Sequence, residues 1–288
     1  MTGEKLKNKN PTPATPDAII KCMKTAVDHF KWQGKKIGIG FPAVIKNGVS
    51  LTASNIDSQF INYPVDSAFS EALGCDVTVV NDADAAGIAE MTYGKGKGVK
   101  GLVVFLTLGT GIGSALFYNG QLLANTELGH LKYKKSIFEK YASNSAREFH
   151  HLSWRKWAKE LDVYLNHLDL LLSPDLILIG GGVSKNFDQY GKFLNTKVQV
   201  DTASLLNDAG IVGHRDSPTL KGWLESKHRW LLLGAQAGSP ERPHPTASTP
   251  AHALQPRRGR WPQSGTFAAP ELTVRKRTGQ RRWWDDPG

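Results

Sequence analysis

Cysteine is almost absent from this 288-residue chain, which carries only Cys22 and Cys75. Two thiols allow one disulfide at most and no CxxC-type metal site, and such sparing use agrees with a reducing compartment. Long apolar runs are missing too: none approaches the ~20 residues needed to span a bilayer. The opening stretch MTGEKLKNKNPTPATPDAII is basic but leads into no apolar segment with a small-residue cleavage site, so no secretory signal is visible and a cytoplasmic protein is expected. No internal repeat is present. A hydrophobic content of 40% with 22% charged residues is ordinary for a globular chain, long enough for one or two domains.

Acidic residues are the scarcer sign, 26 against 36 Lys and Arg, for a formal charge of +10. The excess is not spread evenly. Residues 214–288 hold 13 basic and 6 acidic residues, a net of +7, and residues 1–213 only +3. Arginine occurs in the first 213 residues at Arg147 and Arg155 alone, whereas the tail has ten. A nearly balanced body predicts no specific nucleic-acid partner and no membrane. The tail scatters Pro, Arg, Ser, Thr and five of the eight Trp without period, so it cannot bury a continuous apolar face; disorder is expected, apart from a short helix around Leu220 to Leu233. Two readings of it stand: a basic arm with interleaved aromatics that grips polyanions, or a shifted reading frame.

Up to about residue 213, helical and strand-like segments alternate, which argues for α/β architecture. Helical periodicity covers 16–32, with Thr15 or Asp17 able to cap its start. KIGIGFP, 36–42, reads as a buried strand ending in a Gly/Pro turn, and Val77 to Val80 as a second one, followed by an Ala-rich helix from Ala83 to Tyr93. KGLVVFLTLGTGIGSALFYNGQLL reads as strand, glycine turn, strand, then a second turn at Asn119-Gly120. A long amphipathic helix, Trp154 to Leu172, breaks at Ser173-Pro174 before a strand, Leu176 to Ile179, that runs into three glycines.

Three stretches carry chemistry. The turn Gly109-Thr110-Gly111-Ile112-Gly113 lets backbone N–H groups converge on an anion, with a Thr hydroxyl beside them; a glycine-rich β-turn also needs no ligand. It is no Walker A loop, lacking the Gly-Lys-Ser/Thr ending. Asn81-Asp82 sits at the end of a buried strand, where α/β proteins expose reactive groups. A carboxylate there suits a general base for an attacking hydroxyl; Asp82 or Asp84 could equally cap the helix that follows. NTELGH, 125–130, sets Glu127 and His130 three apart, an acceptor and a mixed donor/acceptor for polyol hydroxyls, or simply a solvated loop. Lys95, Lys97 and Lys100 could extend a basic track for a polyanion or be a solvated loop.

Together these stretches resemble the ROK family of sugar kinases and repressors. The run LGTGIGSALFYNGQLLANTELGH, 108–130, is similar to the family signature, and the likeness continues in GIGFPAV (38–44), SNID (54–57), NDADAAGIAE (81–90) and SPDLILIGGGVSK (173–185). It points to the polyphosphate glucokinase branch. The resemblance implies an actin-like, ribonuclease H-like fold of two lobes around a cleft, and phosphorylation of glucose at O6 from inorganic polyphosphate, ATP or both, with Mg²⁺ accompanying the donor. It makes Asp82 the catalytic base; it sets Asn55, Asn81, Glu127 and His130 on sugar hydroxyls, with Gly40 and Pro42 shaping the pocket floor. Thr107, Gly109, Thr110, Gly111 and Gly113 match a phosphate loop, and Gly180, Gly181 and Gly182 a turn bordering the nucleotide or polyphosphate channel. A homodimer is implied. The family's cysteine cluster is absent, so His130 has no zinc co-ligands and neither zinc nor another protein-held metal is expected. No helix-turn-helix precedes the body, which argues against the repressor branch.

Two departures accompany the likeness. The family's opening strand with Asp-x-Gly-Gly-Ser/Thr, its first phosphate loop, has no counterpart before PTPATPDA, so the first strands are expected to be missing and an unpaired sheet edge exposed. NDAGIVG, 207–213, leads into no closing apolar helix. The expected organisation is a partial N-terminal lobe over 1–99 with the sugar and base residues, a C-terminal lobe over 100–213 with the glycine turns, and the tail over 214–288. Losing phosphate-loop donors costs rate, since one such donor can be worth about 10²–10³-fold. The competing expectation is therefore a non-catalytic remnant that binds sugar or polyanions.

Overall fold

The computed structural model describes residues 3–9, 14–54, 56–204, 229–234 and 271–277. Along the chain the first half runs β1 (Gly3–Lys9), α1 (Pro16–Phe30), β2 (Lys36–Phe41), β3 (Ile45–Lys46), β4 (Val49–Ser50), α2 (Val65–Leu73), β5 (Asp76–Asn81) and α3 (Asp82–Tyr93). It continues with β6 (Leu102–Leu108), β7 (Ile112–Tyr118), β8 (Gln121–Leu123), β9 (Lys132–Tyr133), β10 (Ser136–Ile137), α4 (Glu139–Ala142), α5 (Asn144–Phe149) and α6 (Trp154–Leu172). β11 (Leu176–Gly180), α7 (Phe187–Tyr190), β12 (Val200–Thr202), β13 (Arg229–Gly234) and β14 (Glu271–Arg277) complete it.

Two five-stranded sheets organise these elements, in the orders β1-β14-β13-β2-β5 and β12-β11-β6-β7-β8. The first is backed by α1 and α2, whose apolar stripes close a core of Ile19, Met23, Val27, Phe30, Ile37, Ile39, Phe60 and Phe69. Thr15 is the cap of α1, its hydroxyl accepting the N–H of Ala18 at 3.3 Å, with Pro16 in the first turn where its missing N–H costs nothing. In the second sheet the period-2 alternation of β6 feeds two cores. Val104, Leu106 and Leu108 meet Trp157, Leu161, Leu165 and Leu168 of α6, while Val103 and Phe105 meet Ile88 and Met91 of α3. Thus α3 touches β6 and β7 on one side and β2 on the other, and joins the two sheets.

The tail departs from its expectation. Rather than leaving β2 with an open edge, the chain lays β13 parallel on it, Leu231 opposite Ile39, and pairs β14 antiparallel between β13 and β1. A strand edge presents a row of N–H and C=O groups that need partners, and these two segments supply them. The short helix expected around Leu220 to Leu233 is replaced over 229–233 by strand; 220–228, like 214–219, 235–270, 278–288 and Asn55, lie outside the described residues. Cys22 and Cys75 are buried and form no disulfide. Among the described residues no helix is long and apolar enough to cross a membrane.

Candidate active site

β5 delivers the central residues. Its last residue, Asn81, is the N-cap of α3: its side-chain oxygen accepts the N–H groups of Ala83 (2.9 Å) and Asp84 (3.1 Å). Its amide nitrogen donates to the carbonyl of Ala43 at 3.1 Å, tying the loop after β2, which includes Pro42, to the head of α3. The capping duty thus falls to Asn81, and Asp82 is left at the first helical position with Oδ1 against the Ala83 N–H at 2.9 Å. Burial pushes the Asp82 carboxyl up to about 6, against the Ala83 N–H that lowers it, and the nearby Glu127 charge raises it further. Asp84, two residues on in the same turn, is pushed up to about 7 by burial, against the Asn125 N–H that lowers it, with the Asp82 and Glu127 charges adding to the rise. The three carboxylates are therefore electrostatically coupled, each negative charge disfavouring the others.

Glu127 arrives on the segment after β8. Ser114 of β7 fixes that segment, its hydroxyl donating to the Thr126 carbonyl at 2.7 Å and accepting the Leu128 N–H at 3.0 Å. Gly129 lies so close to Ile112 of β7 that a Cβ would meet its carbonyl at 2.5 Å. Nδ1 of His130 stands 3.6 Å from Oε2 of Glu127, both residues exposed. Partial burial raises the Glu127 carboxyl, with His130 opposing it. The two side chains lie within reach of each other, and of the two it is Glu127 whose charge is felt at Asp82.

The glycine turn joins β6 to β7, with Leu108 opposite Ile112 and Thr107 opposite Gly113. On its other side Thr107 pairs with Gly180 of β11, so the two glycine stretches flank one threonine. A Cβ on Gly113 would meet Thr107 Oγ1 at 2.5 Å and Ala83 Cβ at 2.9 Å, so this bare position is where the β6–β7 hairpin approaches the head of α3. Gly181 has φ +80°, and a Cβ there would sit 2.6 Å from the Leu108 carbonyl oxygen. The two turns consequently pack backbone to backbone. Gly40 lies within β2 opposite Val80.

The turn itself is less bare than its sequence implies. Gly109 N–H donates to the Gly111 carbonyl at 3.0 Å, and Ile112 N–H donates to Oε2 of Glu139, on α4, at 3.0 Å. Ser145, on α5, donates its N–H to the Gly109 carbonyl at 3.1 Å and its hydroxyl to the Thr110 carbonyl. Glu139 therefore already holds one of the amides that an anion would seek. No local pattern announced Glu139 as part of this loop. Lys95 is likewise committed, pairing with Asp201 at 2.5 Å, while Lys97 and Lys100 are exposed. Among the described residues no group of three or more His, Cys, Asp or Glu is arranged to hold a metal ion.

Known proteins resemble this chain in sequence and fold. The ROK family profile matches residues 2–144. The polyphosphate glucokinase of Mycobacterium tuberculosis is 42% identical over 214 residues, 74% of this chain and 80% of that protein. Among solved structures, the inorganic polyphosphate/ATP-glucomannokinase from Arthrobacter sp. strain KM matches with a TM-score of 0.70 and 40% identity, over 73% of this chain and 86% of that one. A ROK family glucokinase from Streptomyces griseus in complex with glucose and AMPPNP, 23% identical with a TM-score of 0.58 over 69% of this chain and 86% of that one, is a likeness of fold alone. The fold is the actin-like, ribonuclease H-like one expected from the sequence.

Proposed function

The chain belongs to the ROK family, and from that premise we propose that it transfers a phosphoryl group from inorganic polyphosphate or ATP to O6 of glucose, with Asp82 as general base. The observation that carries this reading is the position of Asp82: a carboxyl pushed up to about 6 at the head of α3, beside Glu127 and within one residue of the contact with Gly113 and Thr107. A general base works best with a pKa near the operating pH, which burial supplies here. In the transfer, O6 forms its bond to the terminal phosphorus, the bridging P–O bond of the donor breaks, and the O6 proton passes to Asp82.

Glu127 and His130 hold sugar hydroxyls, Glu127 as acceptor and His130 as donor or acceptor. Asn81 keeps one amide hydrogen beyond its bond to Ala43, enough to donate to a further hydroxyl while it caps α3. The backbone of the Gly109–Gly113 turn, Thr107 and the Gly180–Gly182 turn face the donor phosphates. Mg²⁺ enters as part of the donor substrate and neutralises its charge, and the protein's own part is positioning, as is usual in phosphoryl transfer. The relatives named for polyphosphate support the choice of donor.

The experiment is a coupled assay for glucose 6-phosphate with the full chain, Mg²⁺ and glucose, polyphosphate and ATP being supplied separately. Turnover with either donor is the expected result. A folded chain silent with both donors contradicts the reading and leaves a non-catalytic binder.

A further inference from the structure

Resting on the reading above, we propose that Asp84 and Asn125 are positioning residues for the sugar, a clasp that registers the Glu127–His130 segment against the helix carrying the base and against β3 of the first lobe. Neither side chain is needed to touch substrate. Asp84 is buried, with 2% of its surface exposed, and its Oδ2 accepts the backbone N–H of Asn125 at 2.9 Å. Asn125 in turn reaches β3 with both ends of its amide: Oδ1 accepts the Ile45 N–H at 2.9 Å, and Nδ2 donates to the Ile45 carbonyl at 2.8 Å. This two-bond ring is what a neighbouring strand residue would make, so Asn125 acts as a one-residue extension of the β3–β4 ribbon.

Two features indicate that the clasp is more than packing. Asn125 sits at φ +60°, a left-handed conformation that Asn tolerates better than most residues but that an ordinary loop residue avoids. Oδ1 of Asp84 is buried without a hydrogen-bond partner among the described residues, a cost that a smaller acceptor for the Asn125 N–H would avoid if stability alone were at stake. Asp84 also lies two residues from Asp82 in the first turn of α3, and Glu127 lies two residues from Asn125. The segment has a second anchor, the Ser114 bonds to Thr126 and Leu128, but that anchor belongs to β7 of the second lobe. Among the described residues, the Asp84 and Asn125 hydrogen bonds tie the segment that carries Glu127 and His130 to α3 and to the first lobe together. Cutting it leaves the segment attached yet unregistered, and misplacement on the order of 1 Å is enough to cost about 10²-fold in a positioned site.

The test is steady-state glucose 6-phosphate formation at saturating donor with glucose varied, joined to calorimetric titration of glucose, for wild type, Asn125→Gly, Asp84→Ala and Asp84→Asn. Glycine accepts the left-handed backbone, so Asn125→Gly removes the Ile45 bonds without adding strain. It is expected to raise KM and the glucose dissociation constant about 10-fold or more, with a smaller fall in kcat. Asp84→Ala should behave alike, and Asp84→Asn, which keeps an acceptor for the Asn125 N–H, should recover most of the lost affinity. A merely destabilised chain gives another pattern: an inactive fraction lowers apparent kcat at unchanged KM. Wild-type turnover with wild-type KM and affinity in Asn125→Gly overturns the clasp and leaves the proposed function standing. A wild-type chain that neither turns over nor binds glucose overturns the proposed function, and the clasp falls with it.

Discussion

Oε2 of Glu139 accepts the backbone N–H of Ile112 at 3.0 Å, so the glycine turn between β6 and β7 is braced by a carboxylate from α4. The brace needs the absent side chain of Gly111, whose Cβ would collide with that carboxylate. Glu139→Ala is expected to lower kcat by about 10–10²-fold through a loosened turn. Glu139→Gln keeps the acceptor and should stay within about 3-fold of wild type. Initial rates with polyphosphate and with ATP check this; an unchanged kcat in Glu139→Ala would show that the brace is irrelevant to the donor.

The pH dependence follows from Asp82 and Asp84. Their folded-state values, about 6 and about 7, lie above the ~3.9 of an unfolded aspartate, so between about pH 4 and 7 the folded chain binds more protons than the unfolded one. The part of stability due to these groups is therefore greatest at the acid end of that window and declines as pH rises through it. Melting temperature measured against pH should fall less steeply in Asp84→Asn than in wild type. Activity runs the opposite way, since the base must be ionised: kcat/KM should drop on the acid side with an apparent pKa of about 6–7 that belongs to the coupled carboxylates. A flat profile from pH 5 to 8 would contradict the assignment of the base.

The contact between the two glycine turns makes Gly181 intolerant. A Cβ added at φ +80° is strained and also meets the Leu108 backbone, so Gly181→Ala should destabilise the chain by about 2–4 kcal/mol. Urea denaturation checks this, and a loss under about 1 kcal/mol would refute the close approach.

Glu90 is a fully buried carboxylate of α3 whose Oε1 accepts the N–H of Lys95 (3.0 Å), the N–H of Ser204 (2.7 Å) and the hydroxyl of Ser204 (2.9 Å). Glu90→Ala strands those donors and should cost about 3 kcal/mol or more, against less than half as much for Glu90→Gln. Equal losses in the two variants would mean that packing, and not hydrogen bonding, sets the effect.

The elements with strong local signals were legible. α6 spans Trp154 to Leu172 as its period and the Ser173-Pro174 break predict, because Ser153 caps one end and Ser173 turns left-handed at the other. The β6–β7 hairpin follows from its glycines in the same way. At the head of α3 the sequence allowed Asp82 or Asp84 as cap; the structure uses Asn81, so Asp82 does not carry that duty. Partners distant in sequence were not legible. Glu139 lies 27 residues from the amide it holds, and Asn125 80 residues from Ile45. Neither pairing leaves a mark on local periodicity. The tail misled for a related reason: its aperiodic composition hides two short segments that pair as strands with partners distant in sequence, β13 with β2 and β14 with β13 and β1.

Everything proposed for catalysis passes through Asp82, and the most direct measurement compares Asp82→Asn with wild type in glucose 6-phosphate formation and in glucose binding. The substitution preserves size and an acceptor for the Ala83 N–H while removing the base. The account predicts a fall in kcat of about 10²–10⁴-fold with glucose affinity within about 3-fold of wild type. Retention of wild-type kcat in Asp82→Asn would contradict it.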